Sequence, residues 1–316
     1  MVVSRKAFAP VAVALWASLL WSLAFAVNAN AGPLEDAEAA VRNGDYATAM
    51  QTFLTLADQG NTQAQRDIGI MCLKGQGVPQ NFAEGMRWIR LAANGGLPEA
   101  QNEVGISYQR GWGVERNDAE AVKWFRLAAD QGGLLAAQIN LADSYALGRG
   151  VPQDFGEALK WYRIAADQGS PYAENVVGLA YEHGVHVAQD DAEAFRWYRR
   201  AANKIYDRPG NTWIHTPQYN FAAMYASGRG TAQDYVRALM WFTLAAASGD
   251  TKAPDESGGN LLGTSKYTAP EQRDRLLPLM TSAQIAEAER LAREWRPHPV
   301  VTIEPGADTE TKPETK

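Results

Sequence analysis

Residues 137–169 read AQINLADSYALGRGVPQDFGEALKWYRIAADQG, and four other segments of the chain repeat this pattern. The tryptophan of this segment is Trp161, and its counterparts at intervals of 36, 37, 36 and 44 residues are Trp88, Trp124, Trp197 and Trp241. Self-similarity at a fixed period of about 20–50 residues is typical of repeat proteins, whose units bury their apolar faces against neighbouring units. The period therefore predicts stacked repeats and argues against a compact enzyme.

The tryptophan of each repeat lies in a predicted helix, called helix B. A small residue precedes it by three positions and an alanine pair follows, so small and aromatic residues share one helical face. We expect that face to be the core. The helix begins at an N-cap side chain followed three residues later by Glu in four repeats, which predicts a capping box. The cap residues are Asn81, Asn117, Asp154, Asp190 and Asp234.

A glycine turn precedes each cap, and a second helix, helix A, precedes the turn. Helix A carries a large apolar residue, then Gly or Ala, then Tyr, as in Val104-Gly105 and Tyr108, and Cys72 replaces the tyrosine in the first repeat. The paired glycines of the turn predict positive φ angles. In the fourth repeat His186 replaces the second glycine, so we expect that turn to be strained or reshaped.

Cap, turn, tryptophan and alanine pair recur in register, and together they resemble the Sel-one-like repeat (SLR) family, a relative of the tetratricopeptide repeat, over residues 61–250. The resemblance implies an all-α fold, an α-solenoid of antiparallel helix pairs stacked into a right-handed superhelix with a concave groove. It also implies adaptor or regulatory work in protein complexes without catalysis. Residues 32–60 resemble a tetratricopeptide-like hairpin that caps the first repeat.

The remaining segments have distinct compositions. Residues 251–269 are rich in Gly, Ser, Asp and Lys and predict a loop, and 270–296 predict two C-terminal capping helices with capping-box spacing from Thr268 and Thr281. Residues 297–316 are rich in Pro, Glu, Thr and Lys and predict a disordered tail.

Residues 1–31 have the pattern of an export signal. Arg5 and Lys6 precede an apolar run from Ala7 to Val27, and Ala29-Asn30-Ala31 offers a small-x-small cleavage site. We expect cleavage and a periplasmic or secreted protein. The alternative is an uncleaved inner-membrane anchor with the repeats facing the periplasm.

Composition and motifs exclude several classes of function. The net charge of −6 does not favour nucleic acid. Motifs for zinc peptidases, serine hydrolases, phosphate loops and dithiol redox chemistry do not occur, so we predict no enzyme activity and no cofactor. The pair His183 and His186 lacks further ligands, so we predict no metal site. The single cysteine, Cys72, is interpreted as a buried apolar residue.

If helix A lines the groove, the residues two before and two or five after its large apolar residue point into it. These side chains form a polar lining that could hydrogen-bond an extended peptide, and we expect them to be exposed. The predicted groove residues are Arg66, Asn102, Gln109, Asp143, Asn175, Glu182 and Tyr219. Ordinary solvated helix surface is the alternative interpretation of any one of them.

Two further surfaces are candidates. The interval of 44 residues before Trp241 contains an insertion with Tyr206 and Trp213, which are either partner-binding anchors or parts of a longer connector. Basic residues flank the tryptophans of four repeats. They predict either an anionic partner or, as we favour, a solvated face with local ion pairs such as Glu84 with Arg87.

The leading hypothesis is thus an exported, monomeric scaffold that binds partner proteins or peptides in a groove, with a possible regulatory role in the cell envelope. An exported cell-wall or β-lactam hydrolase is the competing hypothesis, and the missing nucleophile motif counts against it. A membrane-anchored structural scaffold is the third.

Overall fold

The computed structural model describes residues 32–204, 216–250 and 267–297 of the 316-residue chain. The predicted export signal, most of the 251–269 loop and of the C-terminal tail, and the candidate anchors Tyr206 and Trp213 lie outside the described residues.

The described residues form fourteen α-helices. They are α1 (Pro33–Arg42), α2 (Tyr46–Asp58), α3 (Thr62–Lys74), α4 (Phe82–Asn94), α5 (Pro98–Arg110), α6 (Asp118–Ala129), α7 (Leu135–Leu147), α8 (Phe155–Asp167), α9 (Pro171–His183), α10 (Asp191–Ala202), α11 (Pro217–Ser227), α12 (Tyr235–Ala247), α13 (Ala269–Leu276) and α14 (Ser282–Glu294). Helices A of the five repeats are α3, α5, α7, α9 and α11, and each is followed by its helix B.

The described residues divide into two units. The first comprises residues 32–100 and Trp112–Val114, and the second comprises Gln101–Gly111 and the described residues from Glu115 onward. Within the first unit, α1 packs on α2, α2 on α3 and α3 on α4. Within the second, the helices from α6 to α12 pack in chain order, and α13 and α14 pack on α12. Helices packed as sequential pairs in each unit confirm the predicted all-helical solenoid class.

The helix pair of each repeat is joined by hydrogen bonds at the start of helix B. Each predicted cap side chain accepts a bond from the backbone N–H three residues later, as Asn81 does from Glu84 at 3.0 Å. The backbone N–H of each cap residue donates to helix A, at Cys72, Tyr108, Tyr145, Tyr181 or Tyr225, over 2.9–3.0 Å. The capping-box prediction is therefore only half correct. The reciprocal bond from the cap N–H to the Glu side chain does not form, because that N–H already donates to helix A.

The core of each repeat centres on the residue that follows the tryptophan. These residues are at most 1% exposed: Ile89, Phe125, Tyr162, Tyr198 and Phe242. They lie against the small residue of helix A, and a Cβ added to Gly178 would come within 2.6 Å of the Tyr198 ring. The tryptophans themselves are half-buried in the first three repeats and buried only at Trp197 and Trp241, so the prediction that they fill the core is only partly correct.

The second glycine of each turn lies against the first turn of the preceding helix B. A Cβ added to Gly150 would lie 2.1 Å from the carbonyl oxygen of Asp118, and one added to Gly230 would lie 2.0 Å from that of Asp191. Both glycines also have positive φ angles, of 73° and 66°. At these two turns only glycine fits, because a Cβ would clash with the facing carbonyl group.

The fourth turn keeps this left-handed backbone with histidine in place of glycine. His186 has φ 56°, and among the described residues it is the one non-glycine with positive φ. The facing helix position, which is Ala119 or Ala192 at the turns just described, is Gly156, and a Cβ there would lie 3.1 Å from Nδ1 of His186. The turn is therefore strained, as predicted, and the imidazole lies beside a glycine of the facing helix, where a Cβ would be packed tightly against it.

This contact is testable by a double-mutant cycle. Gly156→Ala should be less favourable for stability beside His186 than in a chain that carries His186→Gly, because the added methyl group packs tightly against the imidazole. We expect a coupling of about 0.5–1 kcal/mol between the two changes. Urea unfolding of the two single variants and the double variant measures the coupling. Strictly additive effects would contradict a packing relation between the two residues.

Candidate functional site

Two of the predicted groove residues are buried at junctions between repeats. The side chain of Asn102 accepts a hydrogen bond from Nδ2 of Asn140 at 2.9 Å, and Asn175 accepts one from Asn220, also at 2.9 Å. Asn102 is 7% exposed and Asn175 0%. The expected exposure of these residues is therefore wrong, because their amides join one helix A to the next.

Tyr219 is also buried, at 1% exposed, so the exposure predicted for it is wrong as well. Its ring meets Phe242 edge to face with centroids 5.2 Å apart, and its hydroxyl accepts a bond from Nε2 of Gln272 at 3.2 Å. Gln272 belongs to α13, so the chain's own C-terminal helix contacts the predicted ligand-binding position of the fifth repeat.

Asp143 and Glu182 are half-buried and form internal polar networks. The Asp143 carboxylate accepts bonds from the hydroxyls of Tyr162 at 2.6 Å and Tyr172 at 3.0 Å. Glu182 accepts one from Tyr198 at 2.6 Å and is paired at 2.7 Å with Arg229. Arg229 also pairs with Asp191 at 2.6 Å and thereby links the fourth repeat to the turn of the fifth. Both carboxylates orient buried tyrosines.

A buried ion cluster lies directly before the insertion. Glu174 is 0% exposed and is bound by Lys204 at 2.8 Å and Arg200 at 2.9 Å. The equivalent contacts in the two preceding repeats join glutamines, Gln131 to Gln101 and Gln168 to Gln138. The fourth repeat thus replaces a neutral amide pair by a charged pair at the point where the chain departs from the regular period.

Burial raises the pKa of the Glu174 carboxyl, while the hydrogen bond and charge of Lys204, and then those of Arg200, oppose the rise. Because the pKa in the folded chain lies above its unfolded value, ionised Glu174 destabilises the fold relative to its protonated form. The cations limit that cost at neutral pH.

Arg66 and Gln109 are half-buried residues on helices A of the first two repeats. Arg66 lies 3.6 Å from Asp67 and lines a concavity of about 290 Å³ in the first unit. Burial raises the pKa of Asp67, Arg66 and a hydrogen bond from Gln63 lower it, and Glu38 raises it further. This concavity brings together charged side chains from α1 and α3 above an apolar floor.

The basic residue directly before the tryptophan forms a local ion pair in each of the first four repeats, as favoured from the sequence. Arg87 pairs with Glu84 at 2.8 Å and Lys123 with Glu120 at 2.5 Å, and Lys160 and Arg196 make the same contact to Glu157 and Glu193. These side chains are 63–79% exposed. Exposed pairs of this kind contribute less than about 1 kcal/mol each and mark a solvated surface.

Within the described ranges, no cluster of three or more His, Cys, Asp or Glu side chains is arranged to hold a metal ion. Cys72 is buried at 6% exposed, and burial, with a contribution from Glu84, raises the pKa of its thiol. A raised thiol pKa lowers the fraction of reactive thiolate. No helix among the described residues is long and apolar enough to cross a membrane.

Several residues of these networks were missed in the sequence. Aligning the repeats with one another would have identified Asn140 and Asn220. They stand one position before the large apolar residue of helix A, while Asn102 and Asn175 stand two positions before it in the preceding repeat. Gln272 carries no such signal, because its contact with Tyr219 spans 53 positions of sequence.

Sequential helix pairs joined by buried polar contacts define a helical-repeat scaffold. The Sel1 repeat family model matches residues 62–97, 98–133, 135–170, 171–205 and 218–250, which is more than half of the chain. The chain therefore belongs to the Sel1 repeat family. Proteins of this family are generally protein-interaction scaffolds, and no catalytic domain is identified in the chain.

Crystal structures of two bacterial proteins are among those similar to the chain. A Sel1 repeat protein from Oxalobacter formigenes is 30% identical over 78% of this chain and 98% of that one, with a TM-score of 0.62. A protective antigen present in uropathogenic Escherichia coli strains, which displays an SLR fold, is 33% identical over 76% of this chain and 49% of that chain, with a TM-score of 0.58. The chain thus spans about half the length of the Escherichia coli protein. No curated protein matches the chain.

The asparagine junctions predict a specific coupling. Asn175→Ala should destabilise the fold by about 1–3 kcal/mol, because it leaves the buried Asn220 amide without this bond. Asn220→Ala should have a similar effect. The double variant should lose clearly less than the sum, and chemical denaturation measures the difference. Additive losses would mean that the two amides do not depend on each other.

The ion cluster predicts a pH-dependent effect. Lys204→Gln should destabilise the fold by roughly 1–3 kcal/mol at pH 7, since Arg200 alone then opposes the buried Glu174 charge. The pKa of Glu174 should rise further, so the loss should shrink as the pH falls through that pKa and Glu174 becomes neutral. Unfolding free energies from pH 7 to 4 test this. Lys204→Gln combined with Glu174→Gln, which copies the amide pairs, is the control and should show little of this pH dependence.

Proposed function

We propose that the chain is an exported, monomeric and non-catalytic scaffold that binds partner proteins or peptides along helices A and acts in the cell envelope. Membership of the Sel1 repeat family supports the scaffold role. Arg5, Lys6, the apolar run 7–27 and the Ala29-Asn30-Ala31 site support export, with a cleaved signal as the first choice and a membrane anchor as the alternative.

The observation that carries the proposed binding surface is the difference between early and late repeats. In the fourth repeat every residue from Pro171 to Ala180 is buried, and in the fifth the hydroxyl of Tyr219 is bonded to α13. Helices A of the first two repeats instead retain the half-exposed polar side chains of Arg66 and Gln109, whereas the half-buried Asp143 and Glu182 are bonded to buried tyrosines. We therefore assign partner binding to helix A of the first repeat within the first unit and to helix A of the second repeat within the second unit, each considered by itself. The insertion that carries Tyr206 and Trp213 is the second proposed contact.

Site-specific cross-linking in cells tests this assignment. A photo-reactive amino acid at position 109 on α5 should give a discrete adduct with a partner in the periplasmic fraction. The same group at position 123 should not, because Lys123 lies on the solvated face of α6. The cross-linked protein should begin at Gly32 if the signal is cleaved.

Melting curves of both variants control for folding. Adducts formed from position 123 and not from position 109 would move the binding surface to helix B. Recovery only from the cytoplasmic fraction would contradict export, and an intact N-terminus in the membrane fraction would favour the anchored form.

A further inference from the structure

The concavity of the first unit is lined by charged side chains that do not all form ion pairs with one another. Its basic side chains are Arg42 on α1 and Arg66 and Lys74 on α3, and its acidic ones are Glu38 and Asp67. Arg66 and Asp67 form a pair at 3.6 Å. Arg42 and Lys74 are exposed, and the structure gives neither an ion-pair partner among the described residues.

The floor of the same concavity is apolar. Val41 and Ile70 are half-buried, and beneath them Phe53 and Met71 are each 1% exposed. A volume of about 290 Å³ is large enough for one or two amino-acid side chains and too small for a folded element. A ligand seated here would place an apolar group on the floor and a polar group at the rim.

We propose that this concavity binds a peptide segment in which a carboxylate lies next to an aliphatic side chain. The proposal rests on the scaffold function and names the chemistry of its partner. The guanidinium of Arg42 and the ammonium of Lys74 donate to the carboxylate, and Val41 and Ile70 contact the aliphatic group. Glu38 and Asp67 repel additional negative charge, so the site takes an isolated carboxylate in preference to a phosphate or a polyanion.

The carboxylate can belong to a Glu side chain or to a peptide C-terminus, and the probes distinguish the two. The first is an acetylated, amidated peptide, Ser-Gly-Leu-Glu-Leu-Ser. The second carries Lys in place of Glu, and the third, Ser-Gly-Leu-Gln-Leu, ends in a free carboxylate. Calorimetric titration of the full chain at low salt should show binding of the first or third peptide at least about tenfold stronger than of the Lys peptide.

Charge reversal is the decisive variant. Arg42→Glu with Lys74→Glu should abolish that preference or invert it toward the Lys peptide. Arg87→Glu is the control, because Arg87 is also an exposed cation of the same unit and lies on helix B outside this concavity. Arg42→Gln with Lys74→Gln serves if the reversed chain fails to melt cooperatively, and it should lose at least about tenfold in binding.

Two results would overturn the proposal: no preference for the carboxylate peptides in the natural chain, or a preference that survives the changes at Arg42 and Lys74. The cross-linking experiment separates this failure from that of the scaffold function. If position 109 still captures its partner in the charge-reversed chain, the scaffold function stands and the concavity is not its acidic-peptide site.

Discussion

The close approach of helix A to helix B within each repeat is the constraint on which the rest of the structure depends. It requires a small residue on helix A, such as Gly69 or Gly178, beneath a large residue on helix B, such as Ile89 or Tyr198. The cap N–H that donates to a helix A carbonyl fixes the same pair at its turn. Burial of the large residue then provides much of the stability of each unit, because a fully buried apolar side chain contributes about 1.5–3 kcal/mol.

Polar junctions join each pair to the next and specify which helices meet. The amides Asn102–Asn140 and Asn175–Asn220, and the ion cluster around Glu174, lie where α5, α7, α9 and α11 follow one another in the second unit. Such groups add little net stability but impose a large cost on any register that leaves them unsatisfied. These contacts involve side chains, such as those of Asn102 and Asn175, that the repeat pattern alone would place in a ligand-binding groove.

The polar side chains that can bind a ligand are therefore those that the fold does not already bond internally. In the fourth repeat the helix A residues from Pro171 to Ala180 are buried, and in the fifth α13 contacts Tyr219. In the first unit, Arg42 and Lys74 border a concavity with an apolar floor. A scaffold of this type gains specificity from local departures from the repeat, since the repeated core is the same in every unit.

The sequence alone determined the repeat period, the N-cap residues of helices B, the glycine turns and the family, because each of these follows from a local pattern repeated in register. It also predicted the strain at His186 and the solvated character of the basic residues. Both depend only on residues within three or four positions of each other in the chain. It placed the tryptophans at the centre of the core, whereas the residue that follows each of them is the more deeply buried one, because the apolar stripe of a helix is about 100° wide and the tryptophan lies at its edge. Tertiary structure alone decided that Asn102, Asn175 and Tyr219 are buried. It also decided that Gly156 faces His186 and that Arg42 and Lys74 line the same concavity. These outcomes depend on side chains about 30–50 residues apart in the chain, whose contact is set by how one repeat packs on the next.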